Sequence, residues 1–168
     1  NMTGNPDAWN FLGGGSWTSD DQASSITVQL TSGGQSSTTG NTTMYSIVAT
    51  HDFSDKLHYL LQHDFGTQES VTGQNAQWFG INQYVTYDIN DQLAVGLRAE
   101  WFDDKHGAMR VNATGATYLA ASVGVNYSPA EWFTVRPEIR YDWADANVFN
   151  RGNDHDQIAI AMDVIVTF

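Results

Sequence analysis

The sequence predicts an all-β fold: an antiparallel β-barrel of the outer-membrane type, which crosses a bilayer with strands. Three observations predict it. Apolar and polar residues alternate with a period of two along most of the 168 residues, the mark of strands whose two faces meet different surroundings. The connections between these runs are short and long by turns, as in barrels with tight periplasmic turns and long extracellular loops. Aromatic residues gather at both ends of the apolar faces, as they do at the two interfaces of a membrane.

The elements follow in order. "DAWNFLGGGSW" (7–17) reads either as one more strand, ending at the polar turn "TSDDQ" (18–22), or as part of a lead-in over 1–23. Residues 24–168 supply the barrel strands, near 24–32, 42–53, 57–65, 76–87, 92–102, 116–127, 132–143 and 156–168. Most are 9–12 residues long, which suits tilted strands crossing a bilayer. In 42–53 the apolar face is Tyr45, Ile47, Ala49 and Phe53, against Ser46, Thr50 and Asp52. In 57–65 it is Leu57, Tyr59, Leu61 and Phe65, against His58, Gln62 and Asp64. In 92–102 it is Leu93, Val95, Leu97, Ala99 and Trp101, against Gly96, Arg98 and Glu100. The last run sets Ile158, Ile160, Met162, Val164, Val166 and Phe168 against Ala159, Ala161, Asp163 and Thr167. The long connections are expected at 33–41, 66–75, 103–115 and 144–154, and the short ones at 54–56, 88–91 and 128–131.

"AEWFTVRPEIRYDW" (130–143) puts Arg136, Glu138, Arg140 and Asp142 at every second position, with Phe133, Val135, Pro137, Ile139, Tyr141 and Trp143 between them. A soluble barrel or sandwich would bury the apolar face and wet the ionic one. A membrane barrel turns the apolar face to lipid, where a charge costs about 2–4 kcal/mol at the midplane, so the ionic face looks inwards. On that reading the interior is lined by Asp64, Arg98, Glu100, Arg136, Glu138, Arg140, Asp142 and Asp163. Small residues at Ala120, Ser122 and Gly124 are expected to let Arg98 approach Glu138 across their strand. Pro137 lacks an N–H, so a bulge or a break in the ladder is expected there. One aromatic girdle is expected from Phe53, Tyr87, Tyr127, Phe133 and Phe168 at the short-turn ends. The other is expected from Tyr45, Phe65, Phe79, Trp101 and Trp143 at the long-loop ends.

Composition narrows the function. Seven basic and nineteen acidic residues give a net charge of −12, which leaves no basic footprint for nucleic acid. With no cysteine there is neither a disulfide nor a thiolate metal site. No run of about 18 apolar residues is present, so no helix is apolar enough to cross a membrane. His51, His58, His63, His106 and His155 form no ligand set, and no serine stands in a nucleophile motif, so no enzymatic role and no cofactor are expected. The acidic long loops, with Asp103, Asp104, Asp145, Asp154 and Asp156, offer oxygen ligands for divalent cations that bridge to anionic headgroups.

Three stretches carry a resemblance: "AQWFGINQYVTYDINDQLAVGLRAEWFDDKHGAMRV" (76–111), "NYSPAEWFTVRPEIRYDW" (126–143) and "DQIAIAMDVIVTF" (156–168). Over about 42–168 the chain resembles the putative β-barrel porin-2 family, the OmpL-like outer-membrane porins of Gram-negative bacteria. The resemblance implies a bacterial outer-membrane location among its lipids, passive diffusion of small hydrophilic solutes or ions through a polar lumen, and assembly as a homo-oligomer. The ending at Phe168 resembles the signal read by the barrel assembly machinery. Family members are longer, and nine strands would make this chain the C-terminal portion of a larger barrel, since bacterial barrels carry an even number. With 1–23 as a lead-in, eight strands would instead close on themselves as a non-conducting anchor, or as a loop-presenting interaction protein.

Overall fold

Nine strands follow one another in a single antiparallel meander, each paired with its chain neighbours. They are β1 (Asn10–Thr18), β2 (Ser24–Gly34), β3 (Thr39–Ser54), β4 (Leu57–Ser70), β5 (Ala76–Asn90), β6 (Leu93–Asp104), β7 (Ala116–Ala130), β8 (Phe133–Ala144) and β9 (Asp156–Val166). The computed structural model describes residues 9–34, 39–70, 75–107 and 115–168. Among these the one helical element is a short 3-10 turn, Asn150–Gly152. β1 is a strand in full register with β2, from Asn10↔Gly33 to Thr18↔Ser25. Of the stretch 1–23, residues 1–8 lie outside the described residues. β1 and β9 each pair with one neighbour among the described residues, so the sheet is open and has two edges.

Six strands outrun their sequence pattern, four of them by three residues or more. β3, β4, β5 and β7 are 16, 14, 15 and 15 residues long. The connections expected at 33–41 and 66–75 shrink to 35–38 and 71–75, and β6 takes in Asp103 and Asp104. The added residues are mostly Thr, Ser, Gln, Glu and Gly. A registered hairpin keeps gaining backbone hydrogen bonds whatever its side chains, so polar composition does not end a strand there. About 9–11 residues cross the hydrocarbon, and the surplus carries the wall beyond it.

The short turns share one construction. The ladders step by one residue between Asp52 and Ser54, between Asp88 and Asn90, and between Tyr127 and Ala130, each just before its turn. Ser54 Oγ accepts from the Leu57 N–H at 3.1 Å, and Asn90 Oδ1 from the Gln92 N–H at 2.9 Å, the local capping that favours such residues in turns. The turns are also stitched to their neighbours. The Asp52, Asp88, Ser128 and Thr167 amides donate to the carbonyls of Ala23, Lys56, Gln92 and Trp132 at 2.8–2.9 Å.

Pro137 interrupts the β7–β8 ladder without shifting it. Pairing runs through Gly124↔Glu138, skips two positions and resumes at Tyr127↔Val135 in the same register. Towards β9 the ladder is continuous through Pro137↔Met162. Of the two outcomes expected, the structure shows the break and not the bulge.

The exposure pattern is inverted relative to a soluble protein. Leu97 is 54% exposed, Ile139 52% and Val164 50%, while the side chains of Glu100 and Asp142 are 14% and 9% exposed. Only Trp78, Ala116 and Ala144 are buried apolar residues among those described. Side chains on a concave face crowd and shield one another, and those on a convex face splay apart. The charged face therefore behaves as the concave one, and the apolar face as the convex one.

Candidate functional site

Paired residues in an antiparallel sheet share a face, so the register builds the polar face row by row. Gln62, Asn82, Glu100, Ala120, Asp142 and Gln157 form one row from β4 to β9. Leu60, Tyr84, Arg98, Ser122, Arg140 and Ala159 form the next. The eight charged residues expected to line the interior all stand on this face. Seven lie on β6, β8 and β9, and Asp64 stands apart on β4, where its carboxylate accepts from the Gln62 amide at 2.8 Å.

Four of the seven, Arg98, Glu100, Arg140 and Asp142, make linked ion pairs, and Arg136 and Asp163 make a separate one. Arg98 Nη2 donates to Glu100 Oε2 at 2.9 Å, and the Arg98 guanidinium lies 6.0 Å from the Tyr84 ring centroid. Arg140 Nε donates to Asp142 Oδ1 at 2.5 Å, while its Nη2 approaches Glu100 at 3.7 Å. Gln157 Nε2 donates to the other Asp142 oxygen at 3.0 Å. Arg136 Nε donates to Asp163 Oδ1 at 2.8 Å. The small residues of β7 do allow a contact across that strand, but between other partners than expected. Arg140 reaches Glu100 over Ala120 and Ser122, and Glu138 instead accepts from Ser122 Oγ at 3.3 Å. The reason is intrastrand: Arg98 and Glu100 stand two residues apart on one face, so the nearer carboxylate captures the guanidinium.

Three features escaped the sequence. His58 bridges three strands, with Nδ1 2.7 Å from Asp52 Oδ1 and Nε2 3.2 Å from Asp88 Oδ2. Parity had placed Asp52 and His58 on the polar face, but only the register brings in Asp88. Aromatic residues also occupy the inner face near the long-loop end. Trp78 is buried over Gly66, where an added Cβ would meet the indole at 2.2 Å, and the Phe102 and Tyr118 rings lie 6.2 Å apart. Finally, the connection 145–155 folds back on itself through the Phe149–Asp154 bridge. Its Val148 and Phe149 share a recess of about 420 Å³ with Glu100, Arg140, Asp142 and Gln157.

The acidic loop residues disperse. Asp104 is fully buried at the end of β6 on the inner face, opposite Trp78 and Ala116. It is not a solvated loop carboxylate, because the ladder continues through it. Asp145 Oδ1 accepts from the Thr117 N–H at 2.9 Å, and Asp154 from Asn150 Nδ2 at 2.9 Å. Asp103 and Asp156 stand on the outer face, and Asp156 accepts from Tyr141 Oη at 3.3 Å. No group of three His, Asp or Glu side chains is placed to hold a metal ion among the described residues.

On the outer face the ten girdle residues fall at opposite ends. Tyr45, Phe65 and Phe79 stand in one row, and Trp101 and Trp143 in the adjacent one. Tyr45 stacks on Phe65 at 5.5 Å, and Phe79 meets Trp101 edge-on at 4.9 Å. Tyr87, Tyr127 and Phe133 lie near the short turns with Phe53, and Phe168 follows β9. Phe79 and Tyr87 stand eight residues apart on β5. That is about 27 Å of strand, or about 21 Å of height at a tilt near 40°, against an apolar band of about 25 Å. Polar groups between the girdles satisfy one another. Tyr59 Oη donates to Gln83 Oε1 at 2.9 Å, and His63 Nδ1 lies 3.0 Å from the Gly80 carbonyl.

Comparison with known proteins agrees with this architecture. The NanC porin, solved in a rhombohedral crystal form, aligns with a TM-score of 0.61 at 16% identity, covering 96% of this chain and 79% of the porin; at that identity the likeness speaks for the fold. No curated protein sequence matches the chain. The model of the family described as putative beta-barrel porin-2, OmpL-like, matches residues 1–168. The likeness seen in the sequence from about residue 42 thus extends to its first residue, and the chain belongs to the putative beta-barrel porin-2, OmpL-like, family.

Proposed function

We propose that the protein is a passive conduit of the bacterial outer membrane, letting small hydrophilic solutes or ions diffuse through a lumen walled by its charged face, with no chemical step. The carrying observation is the inverted exposure: Leu97, Ile139 and Val164 stand outside while Glu100 and Asp142 are enclosed. Hydrocarbon rewards the first arrangement and penalises its reverse. A wet lumen suits the second, because linked ion pairs hydrated on one side avoid most of the cost of burial.

The test is conductance of the purified native protein in a planar bilayer. Stepwise openings are the expected result. A correctly folded, heat-modifiable barrel that stays silent would overturn the conduit and leave the anchor or loop-presenting role. The folded recess of 145–155 gives that alternative its footing, since Val148 and Phe149 narrow the space beside Glu100 and Arg140.

A further inference from the structure

The pairing of the arginines and the sign of the remaining wall point to selectivity. We infer that the conduit prefers cations, with Asp52, Asp64 and Asp88 on β3, β4 and β5 as principal determinants. The inference rests on the conduit reading and specifies its solute class.

Of the seven basic residues, only Arg98, Arg136 and Arg140 stand on inner-facing strand positions. Lys56 lies in a short turn, Lys105 and Arg151 lie in long connections, and Arg110 falls outside the described residues. Each of the three guanidiniums is already held by a carboxylate, at 2.9, 2.8 and 2.5 Å for Arg98, Arg136 and Arg140. An anion entering the lumen would have to displace Glu100, Asp163 or Asp142 to reach one.

The carboxylates are in excess. Among the described residues Asp52, Asp64, Asp88, Glu100, Asp104, Glu138, Asp142 and Asp163 share the inner face, eight against three guanidiniums. β3, β4 and β5 contain no lysine or arginine, and the cationic groups near their carboxylates are His58, held between Asp52 and Asp88, and Lys56 of the adjoining turn, which shares a recess with Asp88. Even with His58 charged, the face stays negative. The short-turn mouth has the same sign: its four turns carry Asp20, Asp21, Asp55, Asp91 and Glu131 against Lys56. A channel whose walls and entrance share one sign concentrates the opposite ion, and low-dielectric walls strengthen the effect.

The test is the reversal potential of the native protein in a bilayer under a tenfold KCl gradient. The expected potassium-to-chloride permeability ratio is about 3 or more at low salt, falling towards unity above about 1 M as screening sets in. The triple variant D52N/D64N/D88N should lose at least about half of that preference while keeping its conductance. The variant R136Q should raise the preference, since it frees Asp163. A conducting protein with a ratio at or below one overturns the inference and leaves the conduit intact. So does a folded triple variant whose ratio is unchanged. A folded protein without conductance overturns both.

Discussion

At the scale of residues, short polar contacts decide details that hydrophobic pattern leaves open. Asp21, in the turn between β1 and β2, accepts from Ser19 Oγ at 2.6 Å and from the Ala23 N–H at 3.1 Å. The Ser19 hydroxyl, and after it the Ala23 amide, hold the Asp21 carboxyl below the usual carboxylate range. A depressed carboxyl stabilises the fold above its unfolded value of about 3.9, and the contribution is lost as pH falls through the folded value. The chemical shift of the Ala23 amide should therefore titrate with a midpoint below about 3.9, and D21A should abolish that step. A midpoint at or above the ordinary value would mean the turn bonds do not form in solution. Such contacts were only partly legible. That Arg98, Glu100, Arg140 and Asp142 share a face follows from counting by twos. That Arg140 takes Glu100 across β7 depends on register and rotamer, which a period does not encode.

At the scale of strands, the face of each side chain is the most reliable message of the sequence, because a one-residue slip would turn a whole strand inside out. This gives a sharp experiment in lipid vesicles. Leu97 lies on the outer face midway along β6, in a row with Val85, Val123 and Ile139. L97R should lower unfolding stability by about 2–4 kcal/mol. N82R, on the inner face opposite Glu100, should cost under about 1 kcal/mol. Equal losses at the two sites would refute the assignment of faces. Strand ends were less legible than strand faces. β2, β3 and β4 run on through residues rich in Gly, Thr and Ser that look like loop, because backbone pairing carries no compositional signature. Asp104 was misplaced for the same reason, and the inner aromatic cluster was not foreseen at all. Trp78 and Phe102 follow the parity of the polar face, and chemistry alone would have sent them outwards.

At the scale of the whole molecule, the two edges set a geometric condition. β1 and β9 both run from the long-loop side towards the short-turn side, so they are parallel to each other. Bare strand edges do not persist in hydrocarbon, where each unpaired backbone group costs several kcal/mol. Direct pairing of β1 with β9 would give an odd barrel with one parallel seam. An odd number of further strands, antiparallel to both edges, gives an even and wholly antiparallel barrel, the rule among bacterial single-chain barrels. The second closure also widens the lumen, and a small barrel filled with side chains cannot conduct. The absence of cysteine from these 168 residues makes the choice measurable by disulfide trapping. Single cysteines at Gly14 or Ser16 of β1, combined in turn with Ala159 or Ala161 of β9, should fail to cross-link in the membrane-inserted native protein. A control pair across β1 and β2, Ser16 with Thr27, which face each other in register, should oxidise readily. Efficient trapping between β1 and β9 would mean that the nine strands close on themselves. The charged face would then fill the barrel as a plug of ion pairs, and conduction would have to be abandoned along with the selectivity inferred from it.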